Sequence, residues 1–165
     1  MDLYENNYLV IHIGAGSKAR EWPEIKWKSL SKKLIKENYR LVFTGKGNRE
    51  NDLIKKIICK NPNCINLCDI LDWNELSAII KYAKLLIGVD SMSMHLSSIM
   101  QTPAIGIYTG IGNINRWKPF FHKSVFITNS VPCSPCFKKN GCQTMECIQN
   151  ISVNEVFEQI KIMNN

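Results

Sequence analysis

The sequence predicts an α/β fold: a Rossmann-like parallel sheet of about six strands, ordered 3-2-1-4-5-6, with helices on both faces. Three observations lead there. Short apolar runs alternate with helical patterns along nearly the whole chain. Several runs are apolar at consecutive positions, as in Leu9-Val10-Ile11 and Leu85-Leu86-Ile87, the pattern of strands buried on both faces. The length of 165 residues, with 45% hydrophobic and 21% charged residues, suits one globular domain with an ordinary core. Repeated strand–helix–strand units imply right-handed crossovers and therefore a parallel sheet.

The expected strands are Tyr8–Ile13, Arg40–Thr44, Cys64–Leu67, Leu85–Val89, Ala104–Tyr108 and Ser124–Thr128. Pro23 fits a first helical position, after which Trp27, Leu30 and Leu34 share one face. Asp72-Trp73-Asn74-Glu75 reads as a capping box opening a helix through Leu76, Ile79 and Ile80. Ser91 is placed to cap a helix through Met94, His95 and Ile99, which Pro103 stops before the next strand. A second capping box, Ser152-Val153-Asn154-Glu155, opens the last helix. Only Lys118–Gly141, rich in Pro, Lys and Cys, departs from the alternation.

Composition narrows the function. No run of about 18 apolar residues is present, so no membrane span is expected. The start, Met1-Asp2-Leu3-Tyr4-Glu5-Asn6-Asn7, has neither the basic end nor the apolar run of a signal peptide, so the expected location is cytoplasmic. The net charge of +7 favours anionic partners: nucleotides, phosphorylated glycolipids, membrane surfaces or nucleic acid. The lysines are dispersed, and no nucleic-acid partner is expected. Four of the seven cysteines, Cys133, Cys136, Cys142 and Cys147, cluster in a loop at about 130–148. In a reducing compartment such a cluster fits a structural zinc or iron site, reduced thiols in a packed loop, or disulfides formed on oxidation. Cys59, Cys64 and Cys68 surround the third strand and read as core packing.

In an open sheet of this order, ligands bind beyond the carboxyl ends of the strands, where the winding reverses. That point lies between the loop after strand one, His12 to Trp22, and the loop after strand four, Gly88 to His95. Gly14 and Gly16 present bare backbone N–H groups, and Lys18 and Arg20 add charge, which together suit a phosphate or diphosphate. The second loop runs into a helix start, with its partial positive charge and free N–H groups. His95 lies one turn in, on the side of Ser91. Asp90 suits helix capping or acceptance of hydrogen bonds from sugar hydroxyls. Gly14-Ala15-Gly16-Ser17-Lys18-Ala19 also matches G-x-G-x-x-A, but Trp22-Pro23 delays the helix and strand two ends in Phe43-Thr44-Gly45 without an acid for a ribose. An NAD-type domain is therefore the losing reading, and no redox cofactor is expected.

Taken together, His12-x-Gly14-Ala15 with Arg20-x-Trp22-Pro23, and Gly88-x-Asp90-Ser91-x-x-Met94-His95-Leu96, resemble the two donor loops of the ADP-heptose:lipopolysaccharide heptosyltransferase family, glycosyltransferase family nine. Thr102-Pro103, Arg116-Trp117-x-Pro119 and Pro132-Cys133-Ser134-Pro135-Cys136-Phe137 follow in family order. The resemblance implies the C-terminal half of a two-domain GT-B glycosyltransferase. Gly14, Ala15, Ser91, Met92 and His95 would surround the diphosphate of ADP-heptose, or of another nucleotide sugar, and Asp90 would meet the sugar. Glu50 would correspond to the family's ribose-binding acid, and Leu67-Cys68-Asp69-Ile70 would lie along the base. Inverting transfer to a lipopolysaccharide core or related glycan is the implied reaction, and cysteine-bound iron is implied for some relatives. Two departures stand out: Arg20 replaces a lysine, and Met92 replaces a small residue. Two domains need about twice 150 residues, so residues 1–165 are expected to form a single nucleotide-sugar-binding domain without the N-terminal acceptor domain that supplies the general base. No catalytic residue is assigned within this chain. A non-catalytic nucleotide-binding module remains the alternative.

Overall fold

The protein is described by a computed structural model covering residues 7–58 and 60–164. Residues 1–6, which carry the reading of the chain start, and Cys59, expected in the core, lie outside the described residues. Six strands form one sheet: β1 Leu9–His12, β2 Leu41–Thr44, β3 Cys64–Asn66, β4 Leu85–Val89, β5 Ala104–Tyr108 and β6 Ser124–Thr128. All pairs are parallel, and the order is β3-β2-β1-β4-β5-β6, as expected. The register sets His12 beside Thr44 on one side and Gly88 on the other. The carboxyl ends of the three central strands therefore finish level.

Consecutive apolar residues split between the two sheet faces. Leu9, Ile11, Leu41, Phe43, Leu85 and Ile87 join one buried cluster with helices α1 (Glu24–Lys36), α2 (Asn48–Ile58) and α7 (Val153–Asn164). Val10, Val42, Leu86 and Ala104 join a second cluster against α3 (Trp73–Lys81) and α4 (Met92–Ile99). Two short helices, α5 (Ile114–Trp117) and α6 (Glu146–Gln149), bracket β6 and the cysteine-rich loop. The period-2 split is what a sheet covered on both sides requires.

Helix ends follow local chemistry, with three refinements. Pro23 is the N-cap of α1, not its first helical residue, because its ψ of 139° is still extended. Ser91 holds the N-cap position of α4, but its hydroxyl makes no capping bond; it pairs instead with the Ser93 hydroxyl at 2.9 Å. α4 ends before Pro103 acts: Gln101 turns left-handed (φ 58°), and the Thr102 N–H returns to the Ser97 carbonyl at 2.9 Å, a Schellman-type closure. The box at Asp72 is complete, with reciprocal bonds to Glu75 of 2.8 Å each. Ser152 accepts from the Glu155 N–H at 3.1 Å. Among the described residues, no helix is long and apolar enough to cross a membrane.

Candidate functional site: a crevice at the reversal of the sheet

The loop leaving β1 folds into a 3-10 turn, Lys18–Arg20, before α1 begins. Ser17 caps that turn through the Ala19 N–H, and its hydroxyl also reaches the Lys139 carbonyl at 3.3 Å. Trp22 pins the far end of the loop. It is 2% exposed, donates its indole N–H to the Ile151 carbonyl at 3.1 Å, and meets Trp27 edge-to-face at 5.0 Å. This buried anchor, two residues on, fixes where Arg20 stands.

The two loops meet. Arg20 Nε lies 3.6 Å from Asp90 Oδ2 across the crevice. Burial pushes the Asp90 carboxyl above its ordinary range, while the nearby charges of Arg20 and then His95 pull it down. Ser91 and the first N–H groups of α4 follow directly. His95 is exposed one turn further on. Gly14 is buried, Ala15 half-buried and Gly16 exposed. Lys18 is placed elsewhere: it lines a neighbouring cleft with Glu21, Arg49 and Lys56.

Glu50 reaches the crevice from α2. Its carboxylate packs against Gly14, where a Cβ would collide with it. A Cβ on Gly45 would lie 2.7 Å from Glu50 Oε2, and the Lys46 N–H donates to the same oxygen at 2.9 Å. Burial raises the Glu50 pKa against that bond and the charge of Arg49. Arg49 forks onto Glu21 at 2.8 and 2.5 Å, a bidentate pair that ties the first loop to α2. Asp69 accepts from the Gly47 N–H at 2.8 Å, with Lys46 Nζ 3.3 Å away. The turn after β2 is thereby held from both sides.

Four residues to which the sequence reading gave no site role also face this region. His12 Nδ1 and Thr44 Oγ1, one at each strand end, are 2.9 Å apart. Burial lowers the His12 pKa to about 4, so the ring is neutral at pH 7. Tyr108, at the end of β5, has its pKa raised by burial first and by Asp90 second. The available signal was a polar residue closing an apolar strand. The fourth is Trp73, 57% exposed, which lines a cavity of about 330 Å³ with His12, Leu71, Leu76 and Met92. A tryptophan directly after a helix cap was its signal.

The cysteine cluster shows no metal site. Cys133, Cys136, Cys142 and Cys147 all line one cavity, but among the described residues no three His, Cys, Asp or Glu side chains form a group that could hold a metal ion. Cys147 is buried, whereas Cys133 and Cys142 are exposed, and the Cys142 N–H bonds to Met145 Sδ at 3.1 Å. Of the three readings of the cluster, the structure shows free thiols, and a metal site there is not shown. Cys68 packs in the core as expected, and Cys64 lies at its edge.

Sheet order and the meeting of these two loops define a fold class: a Rossmann-like domain with its crevice where the winding reverses. Solved proteins of that architecture superpose on the chain. The Escherichia coli ADP-heptose lipopolysaccharide heptosyltransferase II does so with a TM-score of 0.81 and 20% identity, covering 97% of this chain and 47% of that one. An E. coli heptosyltransferase solved with ADP gives 0.80 at 15% identity, covering 99% and 46%. An iron-containing dodecameric glycosyltransferase from enterotoxigenic E. coli gives 0.73 at 16%, covering 99% and 47%.

The family model of glycosyltransferase family 9 (heptosyltransferase) matches residues 2–147, and the chain belongs to that family. Lipopolysaccharide heptosyltransferase 3 of E. coli is 29% identical over 123 residues, 72% of this chain and 36% of its own length. Lipooligosaccharide heptosyltransferase 2 of Campylobacter jejuni is 25% identical over 149 residues, 87% of this chain and 46% of its own. The chain thus spans less than half the length of these relatives.

Proposed function

We propose that this chain is the donor-binding half of an inverting glycosyltransferase that takes a heptose-like sugar from a nucleotide sugar, ADP-heptose, and passes it to a lipopolysaccharide core or related glycan. The observation that carries the reading is the 3.6 Å contact of Arg20 with Asp90, which joins the two loops at one crevice beside a helix N-terminus. Family membership supports it, as do neighbours of the same fold solved with ADP and with ADP-D-β-D-heptose.

In this reading the leaving diphosphate lies over the Gly14–Gly16 backbone and the first N–H groups of α4, with Arg20 and His95 as its donors. Asp90 accepts from the sugar hydroxyls, and Glu50 accepts from the ribose. Inversion is a single displacement. The acceptor hydroxyl oxygen bonds to the anomeric carbon, the carbon–oxygen bond to the diphosphate breaks, and ADP departs with the electron pair. The acceptor proton goes to a base on a second domain, which would also hold the glycan. The charge of +7 supports peripheral contact with an anionic membrane face on the cytoplasmic side.

Titration calorimetry with ADP-heptose, ADP, UDP and NADH tests the proposal. ADP and ADP-heptose should bind. Asp90→Ala should weaken ADP-heptose more than ADP, and His95→Ala should weaken both. A preference for NADH would end the transferase reading. Binding without turnover, even with an acceptor domain supplied, would leave a nucleotide-binding module.

A further inference from the structure

Cations and acids are not evenly mixed along this chain. Between Asp90 and Glu146 the sequence holds no acidic residue, while Arg116, Lys118, Lys123, Lys138 and Lys139 all fall within that stretch. All five are exposed, and among the described residues none of them makes an ion pair. Elsewhere a cation finds an acid close at hand, as Lys55 does in Asp52 and Lys161 in Glu158. The stretch after Asp90 is therefore positive surface without acids of its own.

Exposed rings stand among these cations. The segment after β5 leads from the carboxyl end of that strand to the amino end of β6, the outer strand of the sheet. Trp117 closes α5 and is 58% exposed, and Phe120, three residues on, is 97% exposed. Pro119 between them is buried, so the turn is pinned to the body while the Phe120 ring projects. Phe137 is also exposed and comes to the same place from the cysteine-rich loop. Its N–H donates to the Ile111 carbonyl at 2.8 Å, and a Cβ on the next residue, Gly112, would lie 3.5 Å from the Trp117 ring. The Phe137 backbone is left-handed, with φ 55°, a conformation a bulky residue keeps only where its surroundings hold it.

We infer that Trp117, Phe120 and Phe137, with the cations beside them, form the surface by which this chain rests on an anionic phospholipid bilayer; the inference rests on the membrane contact proposed above and names the surface that makes it. A bilayer face answers both parts of the surface at once. Lipid phosphates neutralise the cations, aromatic rings settle at the level of the headgroups, and lysine stems lie along the apolar layer with their charges in water. A second copy of the chain would bring the same positive surface and be repelled.

Co-sedimentation with vesicles tests it, with phosphatidylglycerol mixed into phosphatidylethanolamine set against phosphatidylcholine alone. Wild type should bind the anionic vesicles, release them as salt rises, and leave the neutral ones unbound. Phe120→Ser should lose about 10- to 100-fold in vesicle affinity. Lys118→Gln with Lys123→Gln should lose about fivefold for each cation. Lys32→Gln with Lys36→Gln, two exposed cations of α1, removes the same net charge elsewhere and should bind as wild type does. All these positions are exposed, so an unchanged urea midpoint confirms that each variant is folded. Unchanged binding by Phe120→Ser, or an equal loss from the α1 pair, overturns the surface and leaves the contact to general charge. A dimer that Phe120→Ser dissolves in the absence of lipid gives the patch to a second copy and overturns it too. A wild-type chain that leaves anionic vesicles unbound overturns the membrane contact and this surface together, while nucleotide binding stands or falls by calorimetry alone.

Discussion

His12 closes β1 with its ring against Thr44 and its pKa lowered to about 4 by burial, from an ordinary 6.5. The neutral ring is the form the fold accepts. As pH falls below about 6.5 the unfolded chain gains a proton that the folded chain refuses until about pH 4, so stability drops across that window and is whole at neutral pH. The full loss amounts to about 3 kcal/mol, at 1.36 kcal/mol for each pKa unit. His12→Asn should flatten the dependence; urea unfolding at about pH 7 and about pH 4.5 checks it, and equal slopes for both chains would remove His12 as the cause. The sequence placed this histidine at the start of the glycine loop and in the motif that carries the resemblance. Its burial comes from the neighbouring strand end, thirty-two positions away.

The capping box at the start of α3 shows how an element serves the crevice. Asp72 and Glu75 satisfy each other's backbone N–H groups, so the helix starts at Trp73 with no slack of a turn in either direction. Asp72→Ala should lower stability by about 1 kcal/mol, the usual worth of an N-cap, seen as a lower urea midpoint with unchanged slope; Asp72→Asn should retain most of it. Such boxes are legible from sequence because their partners sit three residues apart. Ser91 illustrates the limit. Its spacing also reads as a cap, yet Ser93 takes its hydroxyl, a choice made by the packing of α4 against β4. The cysteine loop is a second case: Cys133 and Cys136 have ligand spacing, but their final directions depend on how the loop rests against Gly110 and Ile111, where the Cys136 and Phe137 N–H groups bond.

For the molecule as a whole, the level strand ends turn two distant loops into one surface. A ligand gripped by both loops binds only the folded chain, so it must raise stability by linkage. ADP at about 100 times its dissociation constant should add about 2.7 kcal/mol to the unfolding free energy. NADH at the same concentration should add far less. Urea midpoints with and without each nucleotide measure this directly, and no response to ADP would mean that the crevice does not hold the nucleotide. The proposed division of labour fits the same architecture: the chain covers 47% and 46% of two solved neighbours.

Sequence by itself determined the strand order, the sides of the sheet, most helix starts and the two loops of the crevice. Each of these rests on periodicity or on partners a few residues apart. Tertiary structure alone decided that Arg20 and not Lys18 meets Asp90, that the Glu50 carboxylate lies against Gly14, that Trp73 and Met92 face one cavity, and that the four clustered cysteines line another. These outcomes depend on side chains from separate elements converging in space. Convergence is set by how helices pack on the sheet, and a local pattern carries no record of it.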